Sequence, residues 1–324
     1  MTDVQLLREA LSRPLEGTDL PALGRKYTGK VRDNYITGDG RRILITTDRV
    51  SAFDRVLGTL PLKGQVLQWV SRFWFDHTAE LVPNHMLSVP DPNVMIAREC
   101  TPLGAEMVVR GYITGVTSTS MWSHYAAGKR SFCGHALPEG LTKDQQLDEP
   151  LLTPSSNAEK GGHDVSMSRQ ELIDAGAISA EDFDAAAELV MKLFAAGQAH
   201  CAARGLILVD TKYELGKDRN GEICVIDEIH TPDSSRYWFA ESYAERFAQG
   251  LPPESFDKEH LRRWLAEQGF KGDGPVPAIE DDIKVEAMRR YIQTCETIVG
   301  EPFVPNLEEP IARIQNNLNL TGAA

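Results

Sequence analysis

Leu206-Ile207-Leu208-Val209-Asp210-Thr211-Lys212-Tyr213-Glu214-Leu215-Gly216 reads as a strand with an unusual inner half. Side chains alternate between the faces of a strand, so Asp210, Lys212 and Glu214 share one face and Val209, Thr211, Tyr213 and Leu215 the other. Asn220-Gly221 then signals a tight hairpin, with Ile223 to Glu228 returning. A two-residue turn sets Arg219 opposite Glu222 and therefore Glu214 opposite Asp227. Carboxylates about 5 Å apart at Cβ repel each other. A divalent cation between them converts that repulsion into coordination, and oxygen donors suit Mg²⁺. A one-residue bulge would instead set Glu214 against Ile226 or Glu228. The segment Thr231-Pro232-Asp233-Ser234-Ser235-Arg236 follows at once, with hydroxyls, backbone N–H groups and a guanidinium fork able to hold a phosphate. From these residues alone a solvated charged hairpin reads equally well, and the turn reads also as the N-cap of a helix over Tyr237 to Phe247.

Other cations are candidates for phosphate. Gly24-x-x-x-x-Gly29-Lys30 has the outline of a P-loop, but Val31 stands where a Ser or Thr must meet Mg²⁺, so that reading is rejected. Gly29-Lys30-Val31-Arg32-Asp33 instead places Lys30 and Arg32 on one face of a strand after a flexible glycine, a way to cover nucleotide phosphates, although from this segment alone exposed surface cations are the stronger reading. Arg110 ends the apolar run Met107-Val108-Val109 at a glycine-rich loop. Among the histidines only His163, beside Asp164, is kept as a candidate.

The elements that must position these groups are legible in outline. Val4 to Leu11 has helical spacing, and short strands with turn signals fill Tyr27 to Leu62, including Ile43 to Thr47 after the turn Ile36 to Gly40. Gln65 to His77 is helical, with Leu67, Val70, Phe73 and Trp74 as its core stripe. Val94 to Ala97 and Glu106 to Val109 are further strands. Residues 128 to 164 are rich in Gly, Pro, Asp and Ser and are expected to be irregular, either partly a mobile lid or, nearly as readily, a static surface excursion. Ser179 and Asp182 suit the start of a long helix that runs to Ala203, with Gly205 as its C′ residue. Helices are expected at Phe239 to Ala248, Lys258 to Gln268 and Asp282 to Val299, and a surface-packed tail after about residue 300. The class is α+β, with a β-rich N-terminal lobe over residues 1–105 and an α+β lobe over 106–324 that carries the hairpin.

A chain of 324 residues is long enough for two lobes packed as a unit. The formal charge of −13 argues against nucleic-acid or membrane-surface binding, both of which need a basic face. Phosphates would have to be held by a few concentrated cations, with metal ions offsetting the carboxylates. Five scattered cysteines never fall in C-x-x-C spacing and are expected to be reduced and mostly buried. The first thirteen residues lack the layout of a secretion signal, and no apolar run nears the roughly 18 residues that span a bilayer, so a cytoplasmic chain is expected.

Five stretches together resemble the successive motifs of the SAICAR synthetase family: Gly29 to Asp33, Asp48-Arg49-Val50-Ser51-Ala52-Phe53-Asp54, Glu106-Met107-Val108-Val109-Arg110-Gly111-Tyr112, Asp210 to Gly216, and Asp227 to Trp238. The chain's length is nearer the longer, eukaryote-type form. The resemblance implies a nucleotide cleft between two lobes and an ATP- and Mg²⁺-dependent ligase that joins L-aspartate to a carboxylated aminoimidazole ribonucleotide (CAIR). It implies Asp210 and Lys212 at the reacting centre, with Lys30, Arg32, Glu106 and Lys212 on ATP and Glu214 and Asp227 on Mg²⁺. Arg110, Ser235 and Arg236 are implied at the ribonucleotide phosphate. Asp233, Asp48, Ser51, Asp54, His163 and Asp164 complete the substrate set. The family often has Gly-Ser after the Arg-bearing strand; here Gly115 precedes Val116, and Ser120 is the expected substitute. A monomer is favoured over a homodimer. The rival readings are a small-molecule carboxylate kinase, which would form ADP without aspartate, and a nucleotide-binding sensor, which would need a broken motif.

Overall fold

The computed structural model describes residues 4–52, 55–117, 119–156, 165–255, 264–265, 267–270 and 274–320. They fall into two compact units, one of Met1–Asp76, His85–Glu99 and Phe256–Ala324, the other of His77–Asn84 and Cys100–Ser255. The chain passes between the units after Asp76, Asn84, Glu99 and Ser255, so the stretch beyond Ser255 is grouped with the N-terminal strands and not with the hairpin.

In the first unit β1 (Arg25–Thr28), β2 (Arg32–Ile36) and β3 (Arg41–Thr46) form an antiparallel meander. A separate hairpin, β4 (Arg49–Ala52) and β5 (Arg55–Thr59), leads to the helix Lys63–His77. Strands β6 (Met86–Asp91) and β7 (Val94–Arg98) complete a five-stranded sheet in the order β1-β2-β3-β7-β6. Of the expected stripe Leu67, Val70 and Trp74 are buried and Phe73 is half-buried, while Lys63, unexpectedly, is buried too. The end of the chain is no surface tail. Ile314, on the helix Pro310–Asn317, packs with Leu15, Tyr35, Ile43, Ile45 and Val94. Beside it Arg313 is 3% exposed and gives Nε to Asp91 Oδ2 at 2.9 Å. A buried guanidinium needs such a partner, so the tail is tied into the core by charge as well as by apolar packing.

The second unit is organised by one twelve-residue strand. In chain order it has β8 (Thr101–Pro102), β9 (Ala105–Ile113), β10 (Ser131–Phe132), β11 (His135–Ala136), β12 (Gln145–Leu152), β13 (Ser155–Ser156), β14 (Leu206–Lys217), β15 (Ile223–Ile226) and β16 (Ser235–Phe239). The long strand β14 pairs with β9 and then β8 along one edge, and with β16 and then β15 along the other. The helix Ala180–Ala202 packs against β14 and buries residues such as Val190 and Phe194. It starts as expected, with the Ser179 hydroxyl accepting from Asp182 N at 3.1 Å, and Gly205 beyond it is left-handed at φ 70°.

Three expectations are corrected here. Residues 128–156 are built structure: β12 pairs with β9, and Phe132 and Leu137 pack with Ile113, Met121 and Tyr125. Pro150 hid β12 from pattern reading, and it sits where the pairing is interrupted between Gln146 and Leu151. The rest of that segment, 157–164, lies outside the described residues. Second, Ser235–Phe239 is a strand, not the first turn of a helix; Tyr237 and Trp238 are buried in the sheet and the helix begins at Ala240. Third, Glu214 pairs with Ile226 and not Asp227, the offset that the bulge alternative allows. The Asp218 carboxylate accepts from Asn220 N at 2.8 Å and Glu222 N at 3.0 Å, which selects a three-residue loop with only Gly221 left-handed. The expected helix over Lys258 to Gln268 falls mostly outside the described residues, although Trp264 and Leu265 are helical. No helix among the described residues is long and apolar enough to cross a membrane.

Buried titratable groups give the fold a pH signature. Burial, with Arg42, Arg32 and Arg98 nearby, pushes His85 down to about 3, and burial together with His200 does the same to His230. Below pH 6.5 the unfolded chain therefore binds protons that the folded chain refuses, and stability falls as pH drops toward 3. Asp48 acts oppositely. Burial raises it to about 6 despite hydrogen bonds from Gly64 and Leu15, so between pH 6 and 3.8 the folded chain holds a proton that the unfolded chain has released. One histidine is offset and the other remains, so stability still falls as pH drops through that window. Urea unfolding between pH 4 and 7 is expected to show the midpoint falling toward acid. A flat profile would contradict these burials.

Candidate functional site

Period-two alternation holds along β14. Asp210, Lys212 and Glu214 lie on one face, while Thr211, Tyr213 and Leu215 are buried on the other. Register brings a guanidinium to Asp210 from each side, since Arg110 on β9 and Arg236 on β16 are both its direct partners. Arg236 Nη1 donates to Asp210 Oδ2 at 2.9 Å and Arg110 Nη1 to the same oxygen at 3.3 Å. Arg110 Nε also donates to Thr153 Oγ1 at 2.9 Å. Burial lowers the Arg110 pKa from its ordinary value, Arg236 adds to this, and Asp210 opposes it.

Two residues along the strand the sign of the charge reverses. Lys212 Nζ donates to Glu214 Oε1 at 2.5 Å and to Glu106 Oε1 at 2.9 Å. Burial alone would lower Lys212, but Glu214, Glu106 and Asp227 outweigh it and hold the ammonium above its usual range. One end of the face thus has two cations about one carboxylate, and the other has one cation among three carboxylates. The ends are roughly 13 Å apart from Asp210 to Glu214, at about 3.3 Å per residue.

The gap between β15 and β16 explains how Asp227 reaches this face. Beyond Thr211 the pairing with β16 stops, and with Glu214 the pairing with β15 starts. The chain from Asp227 to Ser234 fills that gap and returns to β14 where Lys212 N donates to Ser234 O at 3.0 Å. Asp227 leaves β15 with φ 65°, which turns it out of the strand.

Other expected residues are placed differently. Ser235 projects opposite to Arg236, is 7% exposed, and gives its hydroxyl to Thr211 Oγ1 at 2.7 Å. Adjacent strand residues cannot share a face, so the structure does not bring Ser235 and Arg236 together. Ser120 is the N-cap of the short helix Met121–Ala126 and donates to Ser123 Oγ at 2.9 Å. Asp233 is half-buried in the turn, its N–H donating to Thr231 Oγ1 at 3.3 Å.

Within the first unit, Lys30 lies in the turn from β1 to β2, closed by Gly29 N donating to Arg32 O at 2.8 Å, and is exposed. Arg32, on β2, is 8% exposed, so the two do not share a strand face as expected. Arg49 fastens this turn, donating to Lys30 O at 3.0 Å, Gly29 O at 3.1 Å and Asp33 Oδ1 at 3.0 Å. Burial would raise Asp33, but hydrogen bonds from Thr18, Lys26 and Arg49 prevail and its pKa is lowered. Asp48 braces the fold, taking Leu15 N on Oδ2 and Gly64 N on Oδ1, both at 2.8 Å. Ser51 is half-buried on β4. Asp54, His163 and Asp164 lie outside the described residues. None of the five cysteines forms a disulfide.

Sequence reasoning did not single out Arg49 or Thr153. Arg49 stood in a quoted motif without a role, and Thr153 lay in the segment read as irregular.

Comparison with known proteins fits this geometry. A model of the SAICAR synthetase family matches residues 25–277. A putative phosphoribosylaminoimidazole-succinocarboxamide synthase 2 of Mesorhizobium japonicum is 47% identical over 308 residues, which is 94% of this chain and 98% of the relative. A phosphoribosylaminoimidazole-succinocarboxamide synthase of Legionella pneumophila is 49% identical over 292 residues, 90% of this chain and 92% of its own. Among solved structures, a SAICAR synthase from Saccharomyces cerevisiae complexed with SAICAR superposes with a TM-score of 0.78 at 30% identity, covering 90% of this chain and 100% of that one.

Proposed function

The chain belongs to the SAICAR synthetase family, and from that premise we propose how its residues divide the work of an ATP-dependent ligase. The reaction joins L-aspartate to the carboxylate of CAIR. That carboxylate first takes the γ-phosphoryl group of ATP and releases ADP. The aspartate amine then attacks the acyl phosphate, phosphate leaves, and the amine loses a proton as the amide forms. A carboxylate is a poor electrophile, and the acyl phosphate supplies the leaving group it lacks.

The reversal of charge along β14 carries the reading. Arg110 and Arg236, held apart by Asp210, suit the ribonucleotide phosphate, because guanidinium forks bind phosphate oxygens strongly. Lys212 stands between that end and the carboxylates, where an ammonium stabilises charge developing on a transferring phosphoryl group. Lys30, on its exposed turn, belongs to ATP phosphates.

Among the described residues no three His, Cys, Asp or Glu side chains form a ready-made metal cage. The donor chemistry of Glu214 and Asp227 fits Mg²⁺ all the same, since that ion commonly takes one or two carboxylates and completes its shell with substrate phosphates and water. When bound, Mg²⁺ would neutralise phosphate charge at the acidic end of the face.

A coupled assay for ADP with CAIR, with and without aspartate, tests the activity. Sustained ADP formation is expected only with both. ADP released at an equal rate without aspartate would mark a carboxylate kinase. The division of phosphates has its own test. Arg236→Ala and Arg110→Ala are expected to raise the KM for CAIR about tenfold or more with little change for ATP, each removing a charge-assisted contact. Lys30→Ala is expected to do the reverse. Titrations in which all three weaken ATP alone would refute the assignment.

A further inference from the structure

The segment Asp227 to Arg236 holds both a proposed metal carboxylate and a proposed phosphate guanidinium, yet its backbone is far from relaxed. Asp227 has φ 65° and His230 φ 48°, two left-handed non-glycine residues within four positions. Such conformations persist only where the surroundings impose them. The face of β14 turned away from the site supplies the constraint.

Tyr213, between Lys212 and Glu214 in sequence, points into the core and is fully buried. Its hydroxyl shares a hydrogen bond with His230 Nε2, and the two rings meet edge-on with centroids 5.4 Å apart. The Tyr237 hydroxyl donates to the His230 carbonyl. Room for the imidazole comes from Gly197 in the helix Ala180–Ala202. A Cβ there would lie 2.4 Å from His230 Cε1 and 2.8 Å from Leu208 Cδ2. Just after His230, Ser235 N donates to Thr231 O at 2.9 Å, and the chain re-enters the sheet at β16.

We propose that Tyr213 and His230 are positioning residues that lock the segment Asp227–Arg236 onto β14 from behind, and so set where Asp227 and Arg236 stand relative to Lys212 and Asp210. One tyrosine on the catalytic strand thereby fixes both ends of the site. Burial keeps His230 neutral, with a pKa of about 3, so the link does not change between pH 5 and 9. The inference rests on the assignment of Asp227 and Arg236 above.

Three variants test it in the full-length enzyme. Tyr213→Phe keeps the ring and removes the hydroxyl, His230→Leu removes the imidazole's hydrogen bonding, and His230→Gln retains a group that can meet Tyr213. Wild type is first assayed for aspartate-dependent ADP release. Well below the melting temperature, Tyr213→Phe and His230→Leu are expected to lower kcat about tenfold, equally across pH 6 to 9, and to raise the KM for CAIR. Amides 228–236 are expected to exchange faster in both, and His230→Gln to recover most of the loss. If Tyr213→Phe lowers only the melting temperature, leaving kcat, KM and amide exchange at wild-type values, the pair is scaffold and the proposal fails. Should His230→Leu not fold, Tyr213→Phe alone decides. A wild type without aspartate-dependent ADP release would overturn the functional reading instead, and the exchange measurement would still judge the lock.

Discussion

Lys212→Met is expected to lower kcat by about two to three orders of magnitude, the effect of removing one preorganised group that meets charge developing in the transition state. The lysine touches Glu214 at 2.5 Å and Glu106 at 2.9 Å, and the next charge along the strand is Asp210, clamped by two arginines. It is the cation that bridges Glu106 and Glu214 at the acidic end of this face. Its loss also leaves Glu106, Glu214 and Asp227 facing one another, and the melting temperature is expected to fall. Circular dichroism and melting separate that structural cost from the chemical one. Lys212→Arg is expected to restore stability more than turnover, because a planar fork cannot take the place of a compact ammonium between two carboxylates. Near-normal kcat in Lys212→Met with saturating ATP, CAIR and aspartate would remove Lys212 from the reacting centre.

Much of this site was legible because strand periodicity is short and strict. Asp210, Lys212 and Glu214 share a face in any strand, and the buried partners on the other face confirm it. The helix Ala180–Ala202 announced itself by its capping serine and its terminal glycine. What pattern alone could not settle is what depends on a partner distant in sequence. Arg110 lies 100 positions before Asp210 in the chain and meets it only through the register of β9 on β14. The hairpin register turned on one side chain, Asp218, whose carboxylate chose a three-residue loop over the two-residue turn that Asn220-Gly221 suggested. Ser235 and Arg236 looked like one phosphate grip while they were read as a turn. As a strand, the same dipeptide divides them between faces. The terminal helix carried no motif at all, and only its packing through Ile314 and Arg313 shows that the core needs it.

The metal assignment has the second largest expected effect, and the geometry sharpens what its test must find. Glu214→Gln and Asp227→Asn are each expected to fold, to lower turnover about 10- to 100-fold, and to need more Mg²⁺ for half-maximal rate. Asn is the right replacement at Asp227 because the backbone there is left-handed at φ 65°, a conformation Asn tolerates better than most residues. The two variants differ in stability. Glu214 bonds directly to the Lys212 ammonium, so its neutral replacement gives up an ion pair and is expected to melt slightly lower. Asp227 acts on Lys212 through its charge, and Glu214 and Glu106 still neutralise that ammonium without it. Asp227→Asn is therefore expected to melt within a degree or two of wild type, or slightly higher as like charges are relieved. Mg²⁺ itself supplies a readout independent of turnover. A ligand that binds only the folded chain raises its melting temperature in proportion to the logarithm of concentration over Kd. With ADP present, Mg²⁺ is expected to stabilise wild type and to lose most of that effect in either variant. Normal turnover in both, with an undiminished Mg²⁺-dependent rise in melting temperature, would place the metal elsewhere on the chain.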